Sequence, residues 1–130
     1  MIAKKISLTS VLLALSMYAV SALADIPFES KDEIEGTWKL QSTKNSATAK
    51  ESILREDTWV FKNGQVTILN IPREGSHYDQ QPVTYEIDNG KLKIPYVGRS
   101  GFDTFSLVEK NDNSMILKGK FGEIYFFKKK

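Results

Sequence analysis

The sequence predicts an all-β protein, an antiparallel up-and-down meander barrel of about eight strands. Short runs rich in β-branched and aromatic residues follow one another from Gly36 onward, and two Asn-Gly pairs, Asn63-Gly64 and Asn89-Gly90, separate such runs. Asn-Gly between β-rich runs is the strongest short-range hairpin signal. No segment after Glu56 is long and helical enough to connect parallel strands, so neighbouring runs are expected to pair antiparallel. A meander of this kind closes most simply into a barrel, which leaves no free sheet edge.

The first 24 residues have the pattern of a bacterial signal peptide. Lys4 and Lys5 precede an apolar run over residues 6–20, and Ala22-Leu23-Ala24 matches a small-x-small cleavage site. The apolar run is short for a membrane span, so no stable membrane anchor is expected. The sequence therefore predicts a leader over residues 1–24, one domain over residues 25–130, and a periplasmic or secreted location.

Composition disfavours several classes of function. The chain has 18 basic and 16 acidic residues, and because Lys4 and Lys5 belong to the leader, the remaining domain is formally neutral. A neutral domain is not typical of a nucleic-acid-binding protein. With no Cys and a single His, the chain also lacks the usual ligands of a zinc site, so we expect no metal and no cofactor.

The predicted first strand contains Gly36-Thr37-Trp38-Lys39-Leu40. Alternation places Trp38 and Leu40 on one face and Thr37 and Lys39 on the other. A Gly two positions before a buried Trp resembles the opening strand of the calycin superfamily, the lipocalins and fatty-acid-binding proteins. The resemblance implies a lipocalin-like barrel that carries a small apolar molecule. In lipocalins a basic residue from late in the barrel commonly packs over this Trp, and no Arg stands near the C terminus here.

Two segments allow alternative interpretations. Thr48 and Glu51 have capping-box spacing, which favours a short helix after the first strand, but residues 52–55 could instead belong to a second strand. The arm over residues 25–35 is expected to be extended, with a helical turn over residues 30–34.

Aromatic residues assigned to the barrel interior form the predicted ligand-binding set. These residues are Trp59, Phe61, Tyr85, Phe105 and Phe126. The same assignment places Ile116, Tyr125 and Phe127 on the outer face. An eight-stranded barrel is wide enough either to be filled by side chains or to hold one small ligand, and the sequence leaves both open.

The polar connection over residues 72–82 is longer than a hairpin turn requires. It carries Arg73, His77, Tyr78 and Asp79, which form the predicted partner-binding set, because long loops on a rigid scaffold often mediate recognition. A second candidate loop covers residues 96–102.

Catalysis is not expected. His77 lies alone in a polar loop, and Gly98-Arg99-Ser100-Gly101 resembles a serine elbow but falls between two β runs rather than before a helix. Two functions follow from the sequence. The first is binding of a small apolar or amphipathic ligand in the barrel, and the alternative is an envelope protein-binding module, such as an inhibitor or immunity protein against a periplasmic enzyme.

Overall fold

The computed structural model describes residues 25–130, so the leader predicted over residues 1–24 lies outside the described residues. A 3₁₀ helix, Lys31–Ile34, precedes the strands. Within the described part of the chain no helix is long and apolar enough to cross a membrane. The strands are β1 Gly36–Lys44, β2 Ile53–Leu54, β3 Thr58–Lys62, β4 Gln65–Leu69, β5 Ile71–Arg73, β6 Ser76–Tyr78, β7 Val83–Thr84, β8 Glu86–Asp88, β9 Lys91–Pro95, β10 Phe102–Lys110, β11 Ser114–Gly119 and β12 Ile124–Lys129.

Ten of these strands form one antiparallel sheet that curls into a nearly closed barrel. Its order is β7-β4-β3-β1-β12-β11-β10-β9-β8, with β2 added to the side of β1. The two ends of the sheet, β7 and β8, are separated in sequence by Tyr85 alone, so they act as two halves of one bent strand. Counted in this way, the barrel has the eight strands that the sequence predicted, and the predicted lipocalin-like meander is confirmed.

Both Asn-Gly pairs form the tight turns expected of them. Asn63 and Gly64 have φ of 54° and 76°, and Asn89 and Gly90 have φ of 53° and 74°. Positive φ at both central residues is the requirement of a type I′ turn, whose twist matches that of the flanking strands. These turns fix the register of β3 with β4 and of β8 with β9.

Trp38 on β1 closes one end of the barrel interior. Its side chain is fully buried, and its indole N–H donates to the Ile34 carbonyl at 2.9 Å. The Lys129 ammonium lies 4.5 Å from the centre of the indole ring and donates to the Glu35 carbonyl at 3.2 Å. A Cβ at Gly36 would lie 2.6 Å from the Lys129 nitrogen, so the glycine makes room for this lysine. Lys129, not an Arg, therefore supplies the basic group over the Trp.

The N-terminal arm covers the same end, which we call the closed end. Ile26 pairs with Leu107, and the Phe28 N–H donates to the Gly90 carbonyl at 2.9 Å. Phe28 and Ile34 are both buried in the hydrophobic core. The predicted helical turn is confirmed as the 3₁₀ helix.

The predicted helix after β1 is wrong. Residues 45–52 form bends and a turn, and Ile53–Leu54 instead pairs with β1 opposite Thr43 and Ser42. The strand interpretation of this segment is the one observed. Tertiary pairing with β1 therefore outweighs the local capping-box signal between Thr48 and Glu51.

The facing of the last strand was also predicted wrongly. Phe127 is buried in the core and Tyr125 packs against it, whereas Phe126 faces outward next to the Lys44 ammonium. Tyr125 and Phe127 pair with the core residues Leu117 and Met115, which fixes their facing. Ile116, opposite Phe126, lies on the outer face as predicted.

Candidate ligand-binding site

A cavity of about 290 Å³ opens at the end of the barrel opposite the N-terminal arm, which we call the open end. The last residues of β4 and β9 and the first residues of β3, β10 and β12 meet there. Small-molecule sites typically measure about 300 to 1,000 Å³, so this cavity is near the lower limit of that range. The barrel is therefore filled at the closed end and hollow at the open end.

The walls of the cavity are partly apolar. The aromatic and aliphatic residues that line it are Trp59, Ile68, Ile71, Ile94, Phe105 and Tyr125. Trp59 and Phe105 meet edge to face with their ring centres 5.5 Å apart, and Phe105 meets Tyr125 in the same way at 5.3 Å. Edge-to-face contacts of this kind hold aromatic rings in fixed orientations, so the floor of the cavity is a rigid surface.

Polar residues complete the lining. They are Arg55, Asp57, Gln80, Tyr96, Arg99 and Asp103. Asp57 is buried, and the Arg55 guanidinium donates to both of its carboxylate oxygens, at 2.8 and 2.7 Å. A bidentate pair neutralises both charges and leaves the carboxylate well satisfied. This pair holds the segment before β3 against the barrel, where the Leu40 N–H also donates to the Asp57 carbonyl at 2.8 Å.

Trp59 contains a buried hydrogen-bond donor, its indole N–H. Its indole nitrogen is buried and has no hydrogen-bond partner among residues 25–130. Buried polar groups in folded proteins are nearly always hydrogen-bonded, so such a group requires an explanation. Trp38, the register partner of Trp59 on β1, has its N–H fully satisfied by Ile34.

Tyr125 places a hydroxyl in the cavity wall. That hydroxyl donates to Glu123 at 3.2 Å. Burial, followed by the negative charge of Glu123 and the hydrogen bond to it, raises the pKa of Tyr125 well above its ordinary value. The residue therefore stays neutral at physiological pH, and its donor is already used within the protein.

The mouth of the cavity is a small cluster around Tyr96. The Arg99 guanidinium stacks over the Tyr96 ring at 4.0 Å, and the Lys120 ammonium donates to the Tyr96 hydroxyl at 2.8 Å. That hydrogen bond is the main reason why the pKa of Lys120 is raised. The Tyr96 hydroxyl in turn donates to Asp103 at 3.3 Å, and the Lys120 nitrogen lies 4.0 Å from the same carboxylate.

Comparisons with known proteins agree with this architecture. A profile of the lipocalin-like domain family matches residues 34–117, which is more than half of the chain. The chain belongs to the lipocalin-like domain family. A crystal structure of an uncharacterized protein from Bacteroides eggerthii matches with a TM-score of 0.59 and 15% identity, over 74% of this chain and 98% of the other. At that identity the likeness shows the fold alone. No curated protein sequence matches this chain.

The lipocalin-like barrel distributes the predicted ligand-binding residues between its two ends. Trp59 and Phe105 line the cavity. Phe61 and Tyr85 are buried in the core, edge to face at 5.2 Å, and the Tyr85 hydroxyl donates to the Lys31 carbonyl toward the closed end. Phe126 is outside the barrel interior, so its predicted position is wrong.

The predicted partner-binding residues lie on an ordered ribbon rather than an irregular loop. Strands β5 and β6 form a separate two-stranded sheet, and the Arg73 guanidinium stacks over the Tyr78 ring at 4.2 Å. His77 is exposed opposite Pro72. Asp79 has a structural contact, since its carboxylate accepts the Asn70 N–H at 2.8 Å at the base of the ribbon.

Sequence reasoning missed most of the polar lining. Arg55 and Asp57 are two positions apart, which places both on one face of an extended segment just before β3, and that spacing was a usable signal. Arg99 and Tyr96 were included only as part of the loop over residues 96–102. Nothing in the local sequence indicates that this loop approaches Arg55, because barrel closure brings the two together.

Proposed function

We propose that this lipocalin-like domain binds a small apolar or amphipathic molecule in the cavity at its open end. The observation that carries the proposal is the cavity itself, with a rigid aromatic floor and a polar mouth. Concave sites with apolar walls and a few placed polar groups are the usual form of small-molecule sites. Membership of the lipocalin-like family supports the same function.

Access to the cavity is expected from the open end. At the closed end Phe28, Ile34 and Trp38 are buried at 3% exposure or less, and the arm is hydrogen-bonded across Gly90. At the open end Ile71 and Gln80 flank the base of the β5–β6 ribbon and are only partly buried. A ligand can therefore reach Trp59 without displacing the core.

A fluorescence titration with the neutral apolar probe N-phenyl-1-naphthylamine tests the proposal. We expect a saturable increase in probe emission with the protein over residues 25–130. Ile71→Trp, at a partly buried lining position, should fill the mouth and weaken binding by about fivefold or more, since overfilling a site costs about 1 kcal/mol or more.

The matched control is Ile53→Trp, because Ile53 is also partly exposed but does not line this cavity. Binding by the control should equal that of the parent. Absence of saturable binding by the parent, or equal loss in both variants, would contradict the proposal.

We also propose that the protein is exported and processed after Ala24. The supporting pattern is Lys4-Lys5, the apolar run and Ala22-Leu23-Ala24. Intact mass of the chain recovered from periplasm or medium should correspond to a protein that starts at Asp25. Recovery of the full-length chain from the cytosol would contradict export.

A protein-binding function is the second candidate, favoured by one observation. The β5–β6 ribbon is a sheet of its own, and residues 72–77 on it are all exposed. The double change Arg73→Ala with Tyr78→Ala should leave the melting temperature nearly unchanged and abolish capture of a protein from envelope extract. If the parent captures no protein, this alternative is wrong.

A further inference from the structure

The exposed apolar side chains of the domain are concentrated at its open end. Six large apolar side chains are exposed among residues 25–130, and all but Ile26, on the N-terminal arm, belong to segments at that end. Single exposed apolar residues are ordinary, but several at one end of a domain mark a surface that contacts another molecule. We call the five at the open end the apolar rim, and they are Ile53, Leu54, Val97, Phe102 and Phe121.

Contacts between neighbouring segments make the apolar rim one surface. Ile53 and Phe121 line the same surface pocket between β2 and the turn that joins β11 to β12. The Lys120 ammonium lies 5.5 Å from the centre of the Phe121 ring and donates to the Phe102 carbonyl at 3.3 Å. Val97, in the loop before Phe102, is part of the cavity lining. The apolar rim therefore follows one side of the cavity mouth.

The two turns of the apolar rim carry positive charge only. The loop over residues 96–102 contains Arg99, the turn over residues 120–122 contains Lys120, and neither segment contains an acidic residue. Both basic side chains are exposed at the mouth. These two turns therefore suit a partner that is both apolar and negatively charged.

The carboxylates near the apolar rim do not reverse this charge. Asp103 accepts a hydrogen bond from a tyrosine hydroxyl, and Glu123 accepts the Phe121 N–H at 3.0 Å. Glu51 and Glu56 are exposed beside β2. Anionic groups of a partner are therefore expected at the two turns, while β2 contributes apolar contact.

The shape of the apolar rim favours a lipid surface over a protein. Leu54 is 86% exposed and Phe121 is 82% exposed, so both side chains project from the domain rather than line a groove. Projecting apolar side chains on separate segments can enter the boundary between head groups and acyl chains of a bilayer. Neighbouring Lys and Arg side chains then lie at the level of anionic head groups.

We infer that the open end of the barrel docks on an anionic lipid surface, with the apolar rim inserted and with Arg99 and Lys120 among the head groups. In this orientation the cavity mouth faces the bilayer, so an amphipathic molecule can pass between membrane and cavity without crossing water. The docking itself does not require a ligand in the cavity. It can therefore fail or hold independently of the proposed function.

Vesicle flotation tests the docking directly. The protein over residues 25–130 is used, because the apolar run over residues 6–20 would itself bind lipid. Binding to vesicles of equal parts phosphatidylglycerol and phosphatidylcholine should be about tenfold or more tighter than to phosphatidylcholine alone. At an ionic strength of about 1 M, where the Debye length is about 3 Å, that preference should disappear. Equal binding to both vesicles at low salt, or binding to neither, would overturn the inference.

The charge at the open end is tested by two pairs of substitutions that remove the same net charge. Arg99→Gln with Lys120→Gln should weaken binding to the phosphatidylglycerol vesicles by about tenfold or more. Lys62→Gln with Lys91→Gln, at exposed positions of the closed end, should change it little. Equal weakening by the two pairs would show a general effect of net charge and overturn the proposed orientation.

The apolar contribution is tested by Leu54→Ser combined with Phe121→Ser. Loss of two inserted side chains should weaken vesicle binding by about tenfold or more, whereas Ile26→Ser, at the exposed position away from the rim, should change it little. If the parent forms a dimer without lipid and the double variant is monomeric in sedimentation, the apolar rim is an interface between two copies and the inference is overturned.

A fluorescent reporter shows whether the rim enters the bilayer. Vesicles that contain brominated acyl chains should quench the added emission of Phe121→Trp, while that of Ile26→Trp should be quenched little. Trp38 and Trp59 contribute the same background to both variants. Equal quenching of the two variants would overturn insertion of the apolar rim.

Discussion

Trp38 and Trp59 face each other across the paired strands β1 and β3, and both point into the barrel, yet their surroundings differ. Trp38 is fully buried, its N–H is bonded to Ile34, and the Lys129 and Lys110 ammonium groups lie 4.5 and 5.7 Å from its ring. Trp59 is 5% exposed, lines a cavity, and has no acceptor for its N–H among the described residues.

The difference indicates that the two ends of the barrel have different roles. At the closed end the Trp38 N–H and the Lys129 ammonium both donate to backbone carbonyls, and the N-terminal arm adds Phe28 and Ile34 to the packing. At the open end a rigid aromatic floor includes the Trp59 N–H, which has no acceptor among residues 25–130. An unpaired buried donor such as the Trp59 N–H reduces stability, so it is expected where something other than folding requires it. The following predictions test that division.

The largest effect is expected for Trp38→Ala. Removing a fully buried Trp typically costs about 3 to 5 kcal/mol, a large share of the free energy of unfolding of a small domain. Denaturant unfolding should show a loss in this range or a failure to fold. A loss within about 0.5 kcal/mol, the size of a surface effect, would contradict the structural role of the closed end.

Asp57→Asn should also have a large effect, because it breaks the bidentate pair between Arg55 and Asp57 at the open end. Hydrogen bonds to charged groups contribute about 1.5 to 3 kcal/mol, and the loss should lie in that range, since Asp57 is buried and Arg55 is partly buried. Asp88→Asn is the matched control. Its partner Lys93 lies at the same 2.7 Å and is about as buried as Arg55, but Asp88 itself is exposed, so the cost should stay below about 1 kcal/mol.

Equal losses for the two Asp variants, measured by urea unfolding, would show that the Arg55–Asp57 pair adds nothing beyond a surface ion pair. The open end would then depend on its aromatic contacts alone.

The comparison between the two tryptophans is tested most directly by replacing each with Phe. Trp38→Phe leaves the Ile34 carbonyl without its partner, which should cost about 1 to 3 kcal/mol in addition to lost packing. Trp59→Phe removes a donor that has no partner, so relief of that penalty should offset much of the lost packing. Unfolding in urea should therefore show a clearly smaller loss for Trp59→Phe, and the opposite order would contradict the assignment.

Local signals in the sequence were sufficient for the architecture. Asn and Gly adopt positive φ more easily than other residues, so each Asn-Gly pair favours a type I′ turn locally, as Asn63 and Asn89 show. No tertiary information is needed to predict these turns. The Gly-x-Trp motif of the first strand was also recognised from the sequence. The basic group over Trp38 was not, because Lys129 belongs to a run of three Lys that was interpreted as a solvated tail.

The wrong facing of β12 and the missed polar residues of the cavity have two physical causes. On β12 both alternating sets of residues are apolar, so period-2 patterning cannot decide whether Phe126 or Phe127 faces the core. The cavity combines Arg55, Trp59 and Arg99, which are distant in sequence and meet only through barrel closure. Trp59 and Phe105 were predicted to face the interior because they are aromatic residues on strands, whereas the unpaired Trp59 N–H depends on contacts that only the fold defines.

The smallest predicted effect concerns Tyr125 at the open end. Burial and the neighbouring Glu123 raise its pKa in the folded state above the ordinary value of 10.0. Above pH 10 the unfolded chain releases the proton while the folded chain retains it, so stability falls as pH rises. The contribution is fully present below pH 10, and by pH 11 up to about 1 kcal/mol of it should be lost. Tyr125→Phe has no such proton, so its free energy of unfolding should fall less than that of the parent between pH 9 and 11. Parallel curves for the two proteins would show that the Tyr125 hydroxyl is solvated, and would place the wall of the cavity further from the core than its contacts with Trp59 and Phe105 indicate.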